Sequence, residues 1–518
     1  MASAFPEKAL YEIGHIGFDQ NHPEKGRDCL AFSENEKLTI KKLEEYADLL
    51  KEKACEIGMG LNYFSDTFGN FHLILEGETA RQIMITSHID SVPKGGRYDG
   101  ILGVSGGFAA IENLIDKKLT PKKSIRVVAC RAEESSSTKQ ACLGSLLATG
   151  AITYEQLQEL EYQKDKNTKI PLLDYMKQQL RLTTDQIKQG LKNPSIKLDE
   201  TDGALELHIE QSGVLEKLDK PIGLVTGGIG SASRKEIYIK EDRSKVKGRH
   251  RIRQYKGLEN HSGGTPMNGE IINLGDGQNE EFNLRDDALV KAIKDLATKK
   301  GLRIAKITVP DGSCNTVPGQ CIVEFVEEEK GEDEIECISK SVAEAVHNIV
   351  VGTEKIAEKI AFDTQGKARA TIGNVTHDKG NIILHLDQRM LEEKAGEDLI
   401  SQLEKLVEAQ RALGIDINSV QKGKGKPVKF EGDVKNELIK AYKDLFDDEP
   451  FQMSSMPGHD LSKIVQKRAD GTSVPGAMIF VRSLNNGISH NPNEYSSPED
   501  IEQGVKLLCE VVERISCK

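Results

Sequence analysis

Short apolar runs that stop at metal-type side chains constrain this chain more than anything else in it. Gln82-Ile83-Met84-Ile85-Thr86 leads into His88-Ile89-Asp90, and Ser124-Ile125-Arg126-Val127-Val128-Ala129-Cys130 leads into Glu133-Glu134. Ala204-Leu205-Glu206-Leu207-His208-Ile209-Glu210-Gln211 alternates apolar and polar residues, which puts His208 and Glu210 on one face of a strand. Ala477-Met478-Ile479-Phe480-Val481 feeds the loop Asn485-Asn486-Gly487-Ile488-Ser489-His490. Apolar runs of this length read as buried strands of a parallel sheet. Ligand sites in open α/β sheets gather outside the carboxyl ends of the strands, where His88 is expected. Gly95-Gly96-Arg97-Tyr98-Asp99-Gly100 is too glycine-rich for a regular element, and its glycines let the backbone turn Asp99 back toward His88. Ile101 to Ile115 then reads as a helix.

Imidazole nitrogen and carboxylate oxygen are donors that zinc prefers, and two zinc ions about 3.5–4 Å apart need a shared carboxylate to offset their repulsion. Asp99 is the candidate bridge, and His88, Glu134, His208 and His490 are the other candidate ligands. Asp90 is placed to accept the second ring N–H of His88 and fix its tautomer. Of two adjacent carboxylates at a strand end, one can bind metal while the other stays free as a base. Glu134 is assigned to metal and Glu133 to proton transfer, taking a proton from an activated water and handing it to the leaving nitrogen. Singly, each residue has a plainer reading: a histidine is usually a surface or satisfied core residue, and a Glu pair in a chain with 29% charged residues is usually a solvated face. Their conjunction, each after an apolar strand or a glycine loop, points to two coordination spheres.

These residues resemble those of the amidase/hydantoinase/carbamoylase branch of the two-zinc aminoacylase and carboxypeptidase superfamily. The likeness runs from Gly26-Arg27-Asp28-Cys29-Leu30-Ala31-Phe32-Ser33 through Asp66-Thr67-Phe68-Gly69-Asn70, the His88 and Asp99 segments, and Glu133-Glu134 with Gly144-Ser145. Its most branch-specific string is Glu206-Leu207-His208-Ile209-Glu210-Gln211, and Asn260-His261-Ser262-Gly263-Gly264, Asn315-Thr316-Val317-Pro318-Gly319, Gly458-His459-Asp460 and Gly487-Ile488-Ser489-His490 complete it. The resemblance implies one zinc on His88 and His208, a second on Glu134 and His490, Asp99 between them, and Glu133 as base. It also implies that Gln211, His261 and Asn315 hold the substrate, with His261 polarising the scissile carbonyl. The chain departs from the branch where an arginine should read the substrate carboxylate, since that register falls near Glu327-Glu328-Glu329. Arg389, at the end of Asn381-Ile382-Ile383-Leu384-His385-Leu386-Asp387-Gln388, is the candidate clamp instead. His459, at a glycine turn opening a helix, is expected behind the metal ligands.

Roughly 280 residues separate His208 from His490, so the middle of the chain is expected to be an inserted domain. The expected fold is α/β: a catalytic domain with a mixed central sheet flanked by helices over 1–233 and 426–518, interrupted at 234–425 by an α+β lid. The second half of the lid repeats a strand pair and helix, at Ala368 to His377, Asn381 to Asp387 and Gly396 to Leu413. A doubled lid resembles that of the superfamily's monomeric dipeptidases, whereas the carbamoylase branch dimerises through a single lid, so a monomer is expected. The acidic stretch from Glu327 to Glu336 reads as a solvated loop, and Thr153 to Asp202 as polar helices broken at Pro171 and Pro194.

A net charge of −12 without a basic block makes nucleic acid and anionic membrane poor partners, and no apolar run reaches a membrane-spanning length. With no signal-like start, a cytoplasmic location is expected. Nine cysteines without a Cys-x-x-Cys argue against a disulfide framework or a zinc knuckle. The expected activity is metal-dependent hydrolysis of a linear amide in an N-carbamoyl amino acid or related ureido acid, a small amino-acid-derived substrate. A dipeptidase or N-acyl amino acid deacylase on the same centre is the alternative. A metal-free binding protein is disfavoured because no candidate ligand is missing. Zinc suits the ligand set, and manganese, cobalt or nickel would tolerate it.

Overall fold

A computed structural model describes residues 5–138, 140–164, 168–257, 260–261, 266–268, 270–275, 278–282, 285–310, 316–328, 331 and 333–518. The chain forms two compact units, Met1–Ile229 with Val428–Lys518, and Gly230–Pro427.

The first unit is built on a nine-stranded mixed sheet. Its order is Leu61–Ser65, Phe71–Leu75, Lys123–Cys130, Thr79–His88, Thr201–Ile209, Gly476–Val481, Ile222–Ile229 and Val428–Lys429, with Gln452–Ser455 also paired to Ile222–Ile229. Four neighbours, Lys123–Cys130, Thr79–His88, Thr201–Ile209 and Gly476–Val481, are mutually parallel. Past the exposed start of Thr79–His88 they are buried nearly throughout, as strands covered on both faces must be. Their carboxyl ends therefore lie side by side, with His88 opposite Cys130 and His208 opposite Phe480.

The helices Ile101–Asp116 and Pro498–Ser516 pack on each other and on this sheet, joining Ile85, Val127, Leu207 and Val481 in one apolar core. The first can lie this close because it is rich in small residues: a Cβ on Gly103 would stand 2.3 Å from the Leu207 carbonyl oxygen. The segment after Glu134 adds a smaller core. There the helices Tyr154–Gln158, Leu172–Leu180 and Thr184–Lys192 bury Leu157, Leu172, Met176 and Ile187 against Phe32 and Phe68. Capping boxes at Thr153 and Thr183 start two of them.

The second unit holds two four-stranded antiparallel sheets. One is ordered Leu302–Thr308, Gln320–Glu328, Arg243–Lys256, Asp333–Ile338, and the other Ala368–Asp378, Asn381–Met390, Ser231–Lys240, Ile417–Lys424. The helix Ala288–Ala297 packs on the first sheet, and Lys340–Thr364 and Glu393–Ala412 on the second, around a shared apolar cluster. Where it is described, the acidic stretch expected as a loop is strand at Glu327, Glu328 and 333–336. Glu327 lies opposite Arg249, Glu334 opposite Lys247 and Glu336 opposite Lys245, so the acids flank a basic strand on both sides. Cross-strand pairing of opposite charges stabilises this register, and it is invisible until the partner strand is known.

Candidate metal centre

All the candidate metal ligands, with Glu133 and Gln211, converge in the first unit beyond the ends of the four parallel strands. His88 ends its strand, and its Nδ1 lies 3.2 Å from the main-chain oxygen of Asp90. His208 does the same one strand away, with Nδ1 2.9 Å from the Ile209 oxygen. A carbonyl oxygen only accepts, so each Nδ1 carries a proton and each Nε2 is the nitrogen available to a metal. The two Nε2 atoms are 3.5 Å apart, and each lies 3.2 Å from Asp99 Oδ1. That oxygen is buried with no hydrogen-bond donor. Two ring nitrogens and a carboxylate oxygen facing one point form a donor set that fits a cation.

A second set meets the other oxygen of the same carboxylate. His490 Nε2 lies 3.4 Å from Asp99 Oδ2 and 3.1 Å from Glu134 Oε1. The groups His88, Asp99, His208 and Asp99, Glu134, His490 each bring their donor atoms within 4.8 Å of one another, with Asp99 common to both. Gln211 Nε2 donates to Asp99 Oδ2 at 2.8 Å and lies 3.3 Å from His490 Nε2.

Local backbone choices aim these side chains. Gly100 has φ +74°, and a Cβ there would stand 2.5 Å from His88 Nδ1, so the turn that brings Asp99 back requires glycine. His490 itself has φ 56°, and Asn485 and Asn486 before it have φ 60° and 63°, left-handed conformations that asparagine and histidine tolerate better than most residues. The Asp90 carboxylate does not hold the His88 ring as its nearest partner, lying 3.7 Å from Nδ1. Its oxygens instead accept from the main-chain N–H groups of Glu133 at 2.9 Å and Glu134 at 3.1 Å, tying the two strand ends together.

The electrostatics are those of a crowded buried cluster. Burial opposes the charge on Asp99, yet the His208, His490 and His88 imidazoles hold it well below the usual carboxylate range. Burial likewise works against protonated His88 and His490, but the Asp99, Glu133 and Glu134 carboxylates raise both well above the ordinary histidine value. Burial pushes Glu133 up to about 8, with His88 pulling down against it and Glu134 adding to the rise.

The remaining predicted residues lie as follows. The His459 ring stands edge-on to His208, centroids 4.7 Å apart, with Nε2 2.7 Å from Ser455 Oγ. Glu210, expected on the metal-facing side, turns away: its carboxylate accepts from the Val214 and Leu215 N–H groups, both at 3.0 Å, and from Ser212 Oγ. His261 and Arg389 belong to the second unit. His261 is buried on a two-residue strand opposite Thr316. Arg389 is buried on Asn381–Met390, its Nε donating to Asp387 Oδ2 at 2.7 Å. Asn315 lies outside the described residues.

Two residues at the centre escaped sequence reasoning. Glu494 Oε1 accepts from the Tyr98 and Asp99 N–H groups at 2.9 and 3.1 Å, steadying the loop that presents Asp99. Its position four residues after His490 was the only signal for it. The Cys142 thiol donates to Glu133 Oε1 at 3.1 Å, and no spacing rule marks it.

The model of the family described as peptidase family M20/M25/M40 matches residues 84–514. Over 511 residues the chain is 26% identical to an N-carbamoyl-L-amino-acid amidohydrolase of Pseudomonas sp. (strain NS671), covering 97% of this chain and 96% of that protein. Over 461 residues it is 25% identical to the allantoate amidohydrolase of Bacillus subtilis (strain 168), covering 88% and 87%. Its fold is similar to that of an amidase of the hydantoinase/carbamoylase family from Burkholderia multivorans, with a TM-score of 0.56 at 22% identity over 99% and 97% of the two chains. It is similar too to AtUAH in complex with (S)-hydroxyglycine, with a TM-score of 0.65 at 18% identity over 99% and 97%. With the family's pattern running from the His88 strand into the last helix, this chain belongs to peptidase family M20/M25/M40.

Proposed function

We propose that the chain hydrolyses the linear amide C–N bond of an N-carbamoyl amino acid or related ureido acid, using two divalent ions, zinc foremost, and Glu133 as general base. That it is a hydrolase acting on C–N bonds follows from its family and from relatives named as amidohydrolases. The observation that carries the finer reading is Asp99: one buried carboxylate whose two oxygens face two separate ligand sets.

His88, His208 and one oxygen of Asp99 would hold the first ion, and Glu134, His490 and the other oxygen the second. Bound there, such a pair supplies a water acidic enough to ionise near neutrality and a Lewis acid for the carbonyl. Glu133 binds a proton more tightly than an ordinary carboxylate, so it can accept one from the attacking water and deliver it to the departing nitrogen. Asp90 keeps the base and Glu134 in a fixed relation through their adjacent N–H groups. Gln211 restrains Asp99 from the side. His261, Asn315 and Arg389 are read as substrate contacts on the strength of the resemblance alone, with His261 polarising the carbonyl and Arg389 holding the carboxylate.

The test is a screen of the metal-reconstituted protein against N-carbamoyl amino acids, allantoate and dipeptides, following ammonia and free amine separately. Ammonia release from a ureido substrate is the expected result. Amine from dipeptides or N-acyl amino acids without ammonia would replace this reading with a dipeptidase or deacylase.

A further inference from the structure

Cys142 meets Glu133 at two points. Its main-chain N–H donates to the Glu133 carbonyl oxygen at 2.8 Å, and its Sγ lies 3.1 Å from Glu133 Oε1. The residue sits just ahead of the helix Leu143–Ala148 with φ 54° and ψ 36°, a left-handed conformation that a β-carbon disfavours. The thiol is buried, and burial with the Glu133 charge holds it protonated, so the S–H is the donor. Asp90 takes the Glu133 main-chain N–H, but among the described hydrogen bonds the carboxylate's own donor is Cys142.

We propose that Cys142 is a positioning residue for the base: its S–H holds Oε1, fixes the rotation of the Glu133 carboxylate and leaves Oε2 as the oxygen presented for proton transfer. The inference rests on the reading of Glu133 as general base.

The experiment compares Cys142→Ala, Cys142→Ser and Glu133→Gln with the parent enzyme, each loaded with zinc, for kcat, KM and metal content. Losing a contact that orients a reacting group lowers the rate, so Cys142→Ala should cut kcat roughly ten- to a hundredfold with KM and metal content unchanged. Cys142→Ser restores a donor and should recover most of the loss. A second readout is independent of turnover. The infrared S–H stretching band isolated by subtracting the Cys142→Ala spectrum should show a strongly hydrogen-bonded thiol, and it should move to higher frequency in Glu133→Gln, where the acceptor is neutral. Full kcat in Cys142→Ala beside an inactive Glu133→Gln would overturn the inference alone. A loss that serine does not restore, a fall in metal content, or an S–H band of a free thiol would overturn it as well. Full turnover by Glu133→Gln would remove the base itself, and this inference with it.

Discussion

His88 and His208 each spend one ring nitrogen on a main-chain carbonyl, and His88 and His490 are raised well above the ordinary histidine value by the surrounding carboxylates. Without a cation these rings therefore carry protons that a metal must displace. The direction follows: affinity should weaken as pH falls, and binding near neutrality should release protons to solvent. Calorimetric titration of the metal-free protein in buffers of different ionisation enthalpy checks this, and binding with no proton release would contradict it. At this scale the metal-type side chains were legible because their chemistry is carried by their names and their place after apolar runs. The work of Asp90 was not. Its carboxylate binds two main-chain N–H groups just past the end of a neighbouring strand, and a backbone donor leaves no mark on the sequence.

At the level of elements, the close seat of the helix Ile101–Asp116 on the sheet predicts that Gly103→Ala, which drives a Cβ against the Leu207 carbonyl, destabilises the fold by about 1–3 kcal/mol, measured by denaturant unfolding. Glu210 gives a pH-dependent counterpart. Burial pushes it up to about 7, against hydrogen bonds from Ser212, Leu215 and Val214 that pull it down. Its folded value is thus raised above an unfolded value of about 4.3, so its contribution is fully present below that pH and is lost as pH rises through about 7. Glu210→Gln removes the titration, and the stability of parent minus variant should fall by on the order of 3 kcal/mol between acid and mildly alkaline pH. A difference that stays flat would contradict the shift. The four central strands could be read from apolar runs because burial on both faces leaves little else for such sequences to do. The strands carrying Glu327 and Glu336 could not, since their charges make sense only beside the lysines and arginines of Arg243–Lys256.

For the molecule as a whole, the two sheets of the second unit accompany a proposed monomer, and sedimentation or light scattering should return a mass near 57.1 kDa rather than about twice that. Against an insert expected at 234–425, the second unit spans Gly230–Pro427, so the first unit gives up the chain at Ile229 and takes it back at Val428. Those points are partners: Val428 pairs directly with Ile229 across two antiparallel strands. Seen from the sheet that carries His88 and His208, nearly two hundred residues stand in the place of a hairpin turn. A segment hung from so narrow a stem can lengthen, shrink or be recast without shifting a strand of the sheet it interrupts. The residues gathered at the strand ends can then stay fixed while the inserted unit is free to diverge.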